Sequence, residues 1–321
     1  MLVVVNFLWA AQYPAAKIAS ERMSASGLGF WTLSSATALL LPFLWIERRK
    51  SPATHRNETN LVQTIRRFAV LGVIGIVPPS VMMAWGIARS TSSNASVLSL
   101  TIPVLITVLS VFMLREKLTA LRVTSLLMAF GGTLVISWSD FGHDLLQARL
   151  LLGNIFIFLG GAGSAFYNVY GKRLLRQFSE LEVLVYGYVA GIVSCGAISW
   201  FGDPSEILRP VAYPWSTWVA ILVLGGLSWG VAMLMWMWVL KRMDASQISV
   251  SIYLLPVFGV LLSALVLNER PGLSQIVGAL LVLVATYLVS DYEARKLENA
   301  ATGPSLKVSA EGSAKLNCTQ E

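Results

Sequence analysis

From Leu2 to Ser290 the chain is a series of apolar runs, each close to 20 residues long, joined by short polar links. As a helix rising about 1.5 Å per residue, such a run spans about 30 Å, the hydrocarbon thickness of a bilayer. Lipid offers no partner to backbone amides, so each run must satisfy its own hydrogen bonds, which a helix does within one segment. Ten runs are read: 2–20, 28–46, 68–89, 93–114, 119–138, 151–171, 180–201, 216–240, 245–267 and 272–290. The composition, 55% apolar and 13% charged, departs from the roughly 45–50% and roughly 25% of soluble domains. The opening MLVVVNFLWAAQYPAAKIA lacks a basic stretch and a small-residue cleavage site, and is expected to remain as the first span. The expected fold class is an all-α membrane protein of ten transmembrane helices. A loop over 47–67 and a flexible cytoplasmic tail over 291–321 are the longest segments left outside the bilayer.

A net charge of +7 would point a soluble chain toward nucleic acid. In a membrane chain the placement of Lys and Arg matters more, because they resist translocation. Alternating the links between the two sides puts 18 basic residues on one and 5 on the other, with Lys17 inside a span. Both termini and the 47–67 loop are therefore expected in the cytoplasm, and the chain in a plasma membrane of bacterial inner-membrane type. Lipid is expected as a partner and nucleic acid is not. One span more or fewer would scramble the alternation. The clusters Arg48-Arg49-Lys50 and Lys172-Arg173 are read as topology signals and headgroup anchors. Cys195 in a span and Cys318 in the tail are not expected to form a disulfide.

Shifting the chain on itself by 153 positions aligns Ser96–Ser137 with Ser249–Ser290 without a gap. Pro103 falls on Pro256 and Glu116 on Glu269, a proline and a glutamate held thirteen residues apart in both copies. A weaker match sets Ala10–Lys17 against Ala165–Lys172. Each half then has five spans, and an odd number reverses the second half in the membrane. Inverted repeats of this kind build alternating-access carriers, with the substrate site near the midplane between the halves.

The LWAAQYPAAKIA of the first run, the SxASVxxLxxxxPVxxxLxxxxxLREKLT stretch and its partner ending in LNERP resemble the drug/metabolite transporter superfamily, in its EamA-type branch. The resemblance covers Leu2 to Ser290. It implies two inverted five-helix repeats, 1–138 and 151–290, around a central cavity, and a carrier of amino acids, other metabolites, nucleotide sugars or organic phosphates, with export as the expected direction. The Pro78-Pro79 pair departs from the family pattern, which has small or aromatic residues there.

Prolines lead the candidate residues, since each frees the carbonyl four residues before it. Pro14 frees that of Ala10, Pro103 that of Ser99 and Pro256 that of Ile252. Pro103 and Pro256 hold corresponding positions in the two halves, the pattern that points to a binding site. Polar groups within spans avoid lipid and face the bundle. Gln12, Tyr13, Tyr167, Asn168, Trp229 and Tyr253 are assigned to the cavity with the two prolines; Asn6 and Asn154, nearer span ends, are assigned to packing. For each polar residue a helix-to-helix hydrogen bond competes with substrate contact. Lys17 either snorkels to the outer surface or attracts an anionic substrate at the outer mouth. Glu116 and Glu269, on opposite membrane faces, either pair locally with Lys117, Arg270 or a helix end, or latch the two gates.

An intramembrane enzyme is the main competing class. The histidines His55 and His143 lie in loops, leaving no HExxH, no serine–histidine pair in a span and no acidic metal cluster. No cofactor or metal is expected. A channel would call for charge rings or a carbonyl filter, and a membrane receptor stays open. The expected partner is a small-molecule substrate, with a homodimer left open.

Overall fold

The computed structural model describes residues 1–50, 61–89, 99, 101–116, 123, 127, 148–208, 213–267, 277 and 280. The predicted runs 119–138 and 272–290, with Glu269 and the tail, lie outside them apart from isolated positions. The described chain is helical, without a strand among the described residues. Its rods are α1 (Leu2–Ser20), α2 (Ala25–Lys50), α3 (Leu61–Arg89), α4 (Thr101–Leu114), α5 (Ala148–Leu174), α6 (Glu180–Gly202), the short α7 (Ser205–Leu208), α8 (Trp215–Arg242) and α9 (245–267). Five of them, α1, α2, α3, α6 and α8, are long and apolar enough to cross a membrane. Helix α2 runs beyond its predicted end because Arg48, Arg49 and Lys50 complement the negative pole of its last turn.

Local chemistry shapes each rod. Helix α1 breaks at Ala11, just before Pro14, whose missing N–H leaves the Ala10 carbonyl without its helical donor. Ser179 and Glu182 form a reciprocal capping box that starts α6, each bond 3.1 Å long. Pro78-Pro79 does not break α3. Two adjacent residues without N–H groups widen the helix into π turns over Leu71–Ile76 and Pro78–Met82. Helix α8 is widened in the same way over Val223–Ala232, a stretch that contains Gly225, Gly226 and Gly230. Helices α3 and α8 are the third members of the two predicted halves.

The packing is two-fold in pattern. Helix α2 packs on α6 and α4 on α9, while α1 against α8 is matched by α5 against α3, and α1 against α9 by α5 against α4. Exchanging α1–α4 for α5, α6, α8 and α9 therefore leaves these pairings unchanged. Leu33, Leu71, Ile76, Leu184, Tyr188 and Trp236 fill the shared core. Large apolar side chains also cover the outside: Phe43, Trp45, Phe112, Val193 and Phe201 are all exposed. Patches of that kind face lipid in a membrane protein and would drive aggregation in water.

Candidate functional site

Two adjoining lobes lie between the rods and share four wall residues. The central lobe, of about 90 Å³, is walled by residues of α1, α3, α4, α5, α8 and α9, together with Ser99. The outer lobe, of about 70 Å³, continues past Ala16, Leu28, Ile87 and Leu224 toward the end of the bundle that carries α7. Gln12, Pro79, Met83 and Trp229 border both.

The central lobe is built from corresponding positions. Ser99 and Ile102 face Ile252 and Leu255, each pair 153 residues apart, and Trp9 faces Ser164 at a spacing of 155. Pro79 and Met83 of α3 stand opposite Trp229 and Met233 of α8, both pairs 150 apart. The site thus sits on the pseudo-two-fold relation, and the widened stretches of α3 and α8 supply its facing walls. Among the described residues, no Asp, Glu, Lys, Arg or His borders either lobe.

Hydrogen bonds fix the walls by using carbonyls of the widened α8. The Trp9 indole donates to Ser228 O at 3.2 Å, Ser228 Oγ donates back to Leu8 O at 2.9 Å, and the Tyr188 hydroxyl donates to Trp229 O at 2.6 Å. Below them Trp236 packs on Trp9, with ring centroids 4.9 Å apart, and its indole donates to Asn168 Oδ1 at 2.5 Å.

The predicted residues distribute unevenly over this geometry. Gln12 and Trp229 border both lobes, and Asn168 borders the central one, although its amide is engaged with Trp236 and with Ser164 O at 2.8 Å. Tyr167 and Tyr253 are fully buried behind the wall, Tyr167 beside Tyr188 and Tyr253 between Ile252 and Leu254. Pro103 is buried next to the wall residue Ile102, and Pro256 follows Leu255 in α9. Tyr13 follows Gln12 in α1; the side chains of Tyr13, Asn154 and Pro256 lie outside the described residues. Asn6 is buried, its amide donating to Leu2 O at 2.8 Å and Ser251 Oγ at 3.3 Å. Trp9, Pro79, Met83 and Thr32 were not singled out by sequence, although Trp9 is the repeat partner of Ser164 and Pro79 belongs to the anomalous proline pair.

Each end of the bundle has a polar clasp. At the basic end, Glu116 Oε1 accepts from Lys172 Nζ at 3.1 Å and from Ala245 N at 3.0 Å. Lys172 also donates to Met243 O at 2.5 Å and lies 3.7 Å from Asp244 Oδ1. Lys172 is therefore no headgroup anchor: its side chain is 15% exposed and joins α5, α4 and the start of α9. Glu116 pairs across the halves with Lys172. Lys17, by contrast, is exposed on α1.

At the other end Glu206 of α7 is buried against the start of α2, accepting from Ser24 N at 2.6 Å and Ser24 Oγ at 2.5 Å. Its own carbonyl accepts from the Trp31 indole at 3.0 Å. The carboxylate thereby meets the positive pole of a 26-residue helix. Burial, followed by the neighbouring Glu206 and Asp203 carboxylates, holds the Tyr213 phenol above its ordinary value.

A larger apolar groove of about 350 Å³ runs beside α1, α8 and α9, and among the described residues Ser216 is the one polar side chain in its wall. It offers little to orient a solute. Among the described residues no three His, Cys, Asp or Glu side chains gather to hold a metal.

Known proteins share this arrangement. A solved crystal structure superposes with a TM-score of 0.70 at 19% identity, over 92% of this chain and 97% of the other. An uncharacterized transporter of Archaeoglobus fulgidus is 21% identical over 90% of this chain and 96% of its own length. The uncharacterized transporter YyaM of Bacillus subtilis is 25% identical over 90% and 92%. A protein of Streptantibioticus cattleyicolor named a probable terminal-alkyne amino-acid exporter is 22% identical over 94% and 96%. The EamA-like transporter family profile matches residues 1–138 and again 151–291. The chain therefore belongs to the EamA-like transporter family, whose members are integral membrane proteins.

Proposed function

We propose that the chain is an alternating-access carrier that exports a small metabolite across the plasma membrane, with ten spans in two inverted halves and both termini in the cytoplasm. The observation that carries this reading is the central lobe, whose wall is drawn from corresponding positions of both halves. A site on the relation between two repeats keeps its walls when the repeats rock, so it can face either side in turn. On this reading the central lobe, which shares four wall residues with the outer lobe, faces outward, and the Glu116, Lys172 and Asp244 contacts at the basic end form the cytoplasmic gate. Opening toward the cytoplasm requires those pairs to separate.

A cavity with no charged side chain among its described wall residues favours a solute of small net charge over nucleotide sugars and organic phosphates, because burying an unpaired charge is costly. The amino-acid exporter among the relatives is consistent with that preference. Their naming as transporters supports a carrier over an enzyme or receptor. The substrate partner is then a small metabolite taken from the cytoplasm, and a homodimer is not required, since one chain supplies both halves of the cavity. Purified chain in proteoliposomes tests the reading. Saturable counterflow of a neutral metabolite, lost when Trp229 is replaced by Ala, is the expected result. Flux that never saturates indicates a channel instead.

A further inference from the structure

Several hydroxyls along these helices share one pattern, from which Thr32 departs at the cavity wall. Serine and threonine in an apolar helix hydrogen-bond to the carbonyl four residues earlier. Ser34 bonds to Phe30 O at 2.7 Å, Ser80 to Ile76 O at 2.7 Å, Thr107 to Pro103 O at 2.9 Å and Ser194 to Ala190 O at 2.9 Å. Thr32, like Thr37, Ser199 and Thr217, lacks such a bond: it is 5% exposed and its Oγ1 makes no hydrogen bond. Of the buried side-chain oxygens in that condition among the described residues, Thr32 Oγ1 alone belongs to a cavity-wall residue. An unsatisfied buried hydroxyl is destabilising unless something else supplies the partner.

Its position is equally specific. Thr32 lies where α2 crosses the widened part of α8, so closely that a Cβ on Gly225 would stand 2.5 Å from Thr32 O. The same outer lobe is bordered by Gln12, whose amide brings both donors and an acceptor. The central lobe adjoining it is walled by Trp9, Ile102, Trp229, Met233 and Leu255. Each lobe alone is smaller than the roughly 150 Å³ that holds one benzene ring. A solute of metabolite size must occupy both.

We propose that Thr32 and Gln12 form the polar pole of a two-pole substrate site, which selects a net-neutral solute with an apolar part for the central lobe and a hydrogen-bonding group for the outer lobe. The inference rests on the carrier reading and deepens it by naming a specificity-determining residue and a substrate class. Among the described residues neither lobe offers a charged side chain to a net anion or cation.

The test uses the full chain in proteoliposomes and four solutes of similar apolar part: 4-methylpentane-1,2-diol and 4-methylpentanamide, both uncharged, 4-methylpentanoate, an anion, and 3-methylbutylamine, a cation. Counterflow is expected for the neutral pair, with at least about tenfold weaker half-saturation for the ions. Thr32→Val, which keeps the side-chain shape, is expected to raise half-saturation of the neutral pair about tenfold. It should not lower the melting temperature, because no hydrogen bond within the protein is lost; Thr32→Ser should restore half-saturation. Gln12→Leu repeats the test from α1, away from the α2–α8 crossing.

Half-saturation within twofold of the parent in both Thr32→Val and Gln12→Leu overturns the inference. So does preference for either ion, or a neutral pair that neither moves nor raises the melting temperature. The two readings fail separately: saturable flux indifferent to Thr32 leaves the carrier standing, whereas Thr32-dependent stabilisation by solute without any flux keeps the site and sinks the carrier.

Discussion

Lys172 of α5 and Glu116, just beyond the end of α4, meet at 3.1 Å with side chains only 15% and 7% exposed, and the contact ties the two halves together at the basic end of the bundle. Removing one partner leaves the other charge nearly buried, which costs about 3–5 kcal/mol for a fully buried pair. Asp244 lies close enough to share Lys172, so about 2 kcal/mol is expected for Glu116→Ala. Thermal unfolding in detergent should show that loss, and Glu116→Leu combined with Lys172→Met should recover most of it. A double variant as unstable as the sum of its singles would show that the two residues act independently.

Glycine spacing provides a sharper contrast. A Cβ on Gly225 would collide with Ser35 Oγ, whereas one on Gly226 meets nothing within 4 Å. Gly225→Ala is expected to cost about 1–3 kcal/mol by forcing α2 and α8 apart, with flux falling in parallel. Its neighbour Gly226→Ala should be neutral or slightly stabilising, since it meets no obstacle and alanine favours helix. Equal effects at the two positions would mean that the crossing is looser than described.

At the opposite end Glu206 acts as a helix cap supplied from another segment. Losing a capping side chain costs about 0.5–2 kcal/mol, and Glu206→Ala and Ser24→Ala should each fall in that range. Both remove the bond from Ser24 Oγ to Glu206, although Ser24→Ala keeps the one from its backbone N, so the double variant should lose less than the sum of the singles. Additive melting-temperature losses would refute the clasp.

Cysteine scanning separates wall from core. With Cys195 and Cys318 replaced, single cysteines at Gln12 and Trp229 should react with water-borne thiol reagents and be shielded by transported solute, since both residues border the lobes. Cysteines at Tyr167 and Tyr253 should stay unreactive behind the wall. Reaction at Tyr253 without reaction at Gln12 would place the permeation path elsewhere.

The architecture was legible wherever a one-dimensional signal carried it. Span length follows from apolar runs, and a 153-residue lag is enough to pair Ser99 with Ile252 across the cavity. The wall itself was less legible. Tyr167 and Tyr253 are polar residues in spans, which sequence reads as bundle-facing, but facing the bundle includes facing the core behind the site. Which of two inward directions a side chain takes depends on helix phase, and the widened turns of α3 and α8 shift that phase in a way no regular periodicity encodes. Thr32 stayed hidden because its significance is a missing bond. Lys172, in a basic cluster, carried the signature of a surface residue, and only the fold shows the Glu116 carboxylate beneath it.

The π turns of α3 and α8 have a geometric corollary. Each wide turn holds about one residue more than an α turn, so everything beyond it is rotated by about 100° and displaced about 1.5 Å along the axis. Trp229 lies inside the Val223–Ala232 stretch, and Met233 and Trp236 follow it. Deleting one residue ahead of Trp229 would re-clock that half of the wall as a gear slips by one tooth, turning indole, thioether and their carbonyl partners away together. Pro79 and Met83 answer to the same rule on the other side of the cavity. The identity of the lining is therefore written in residue count as much as in residue type, and a change in the length of either stretch would present a different surface without altering a single lining side chain.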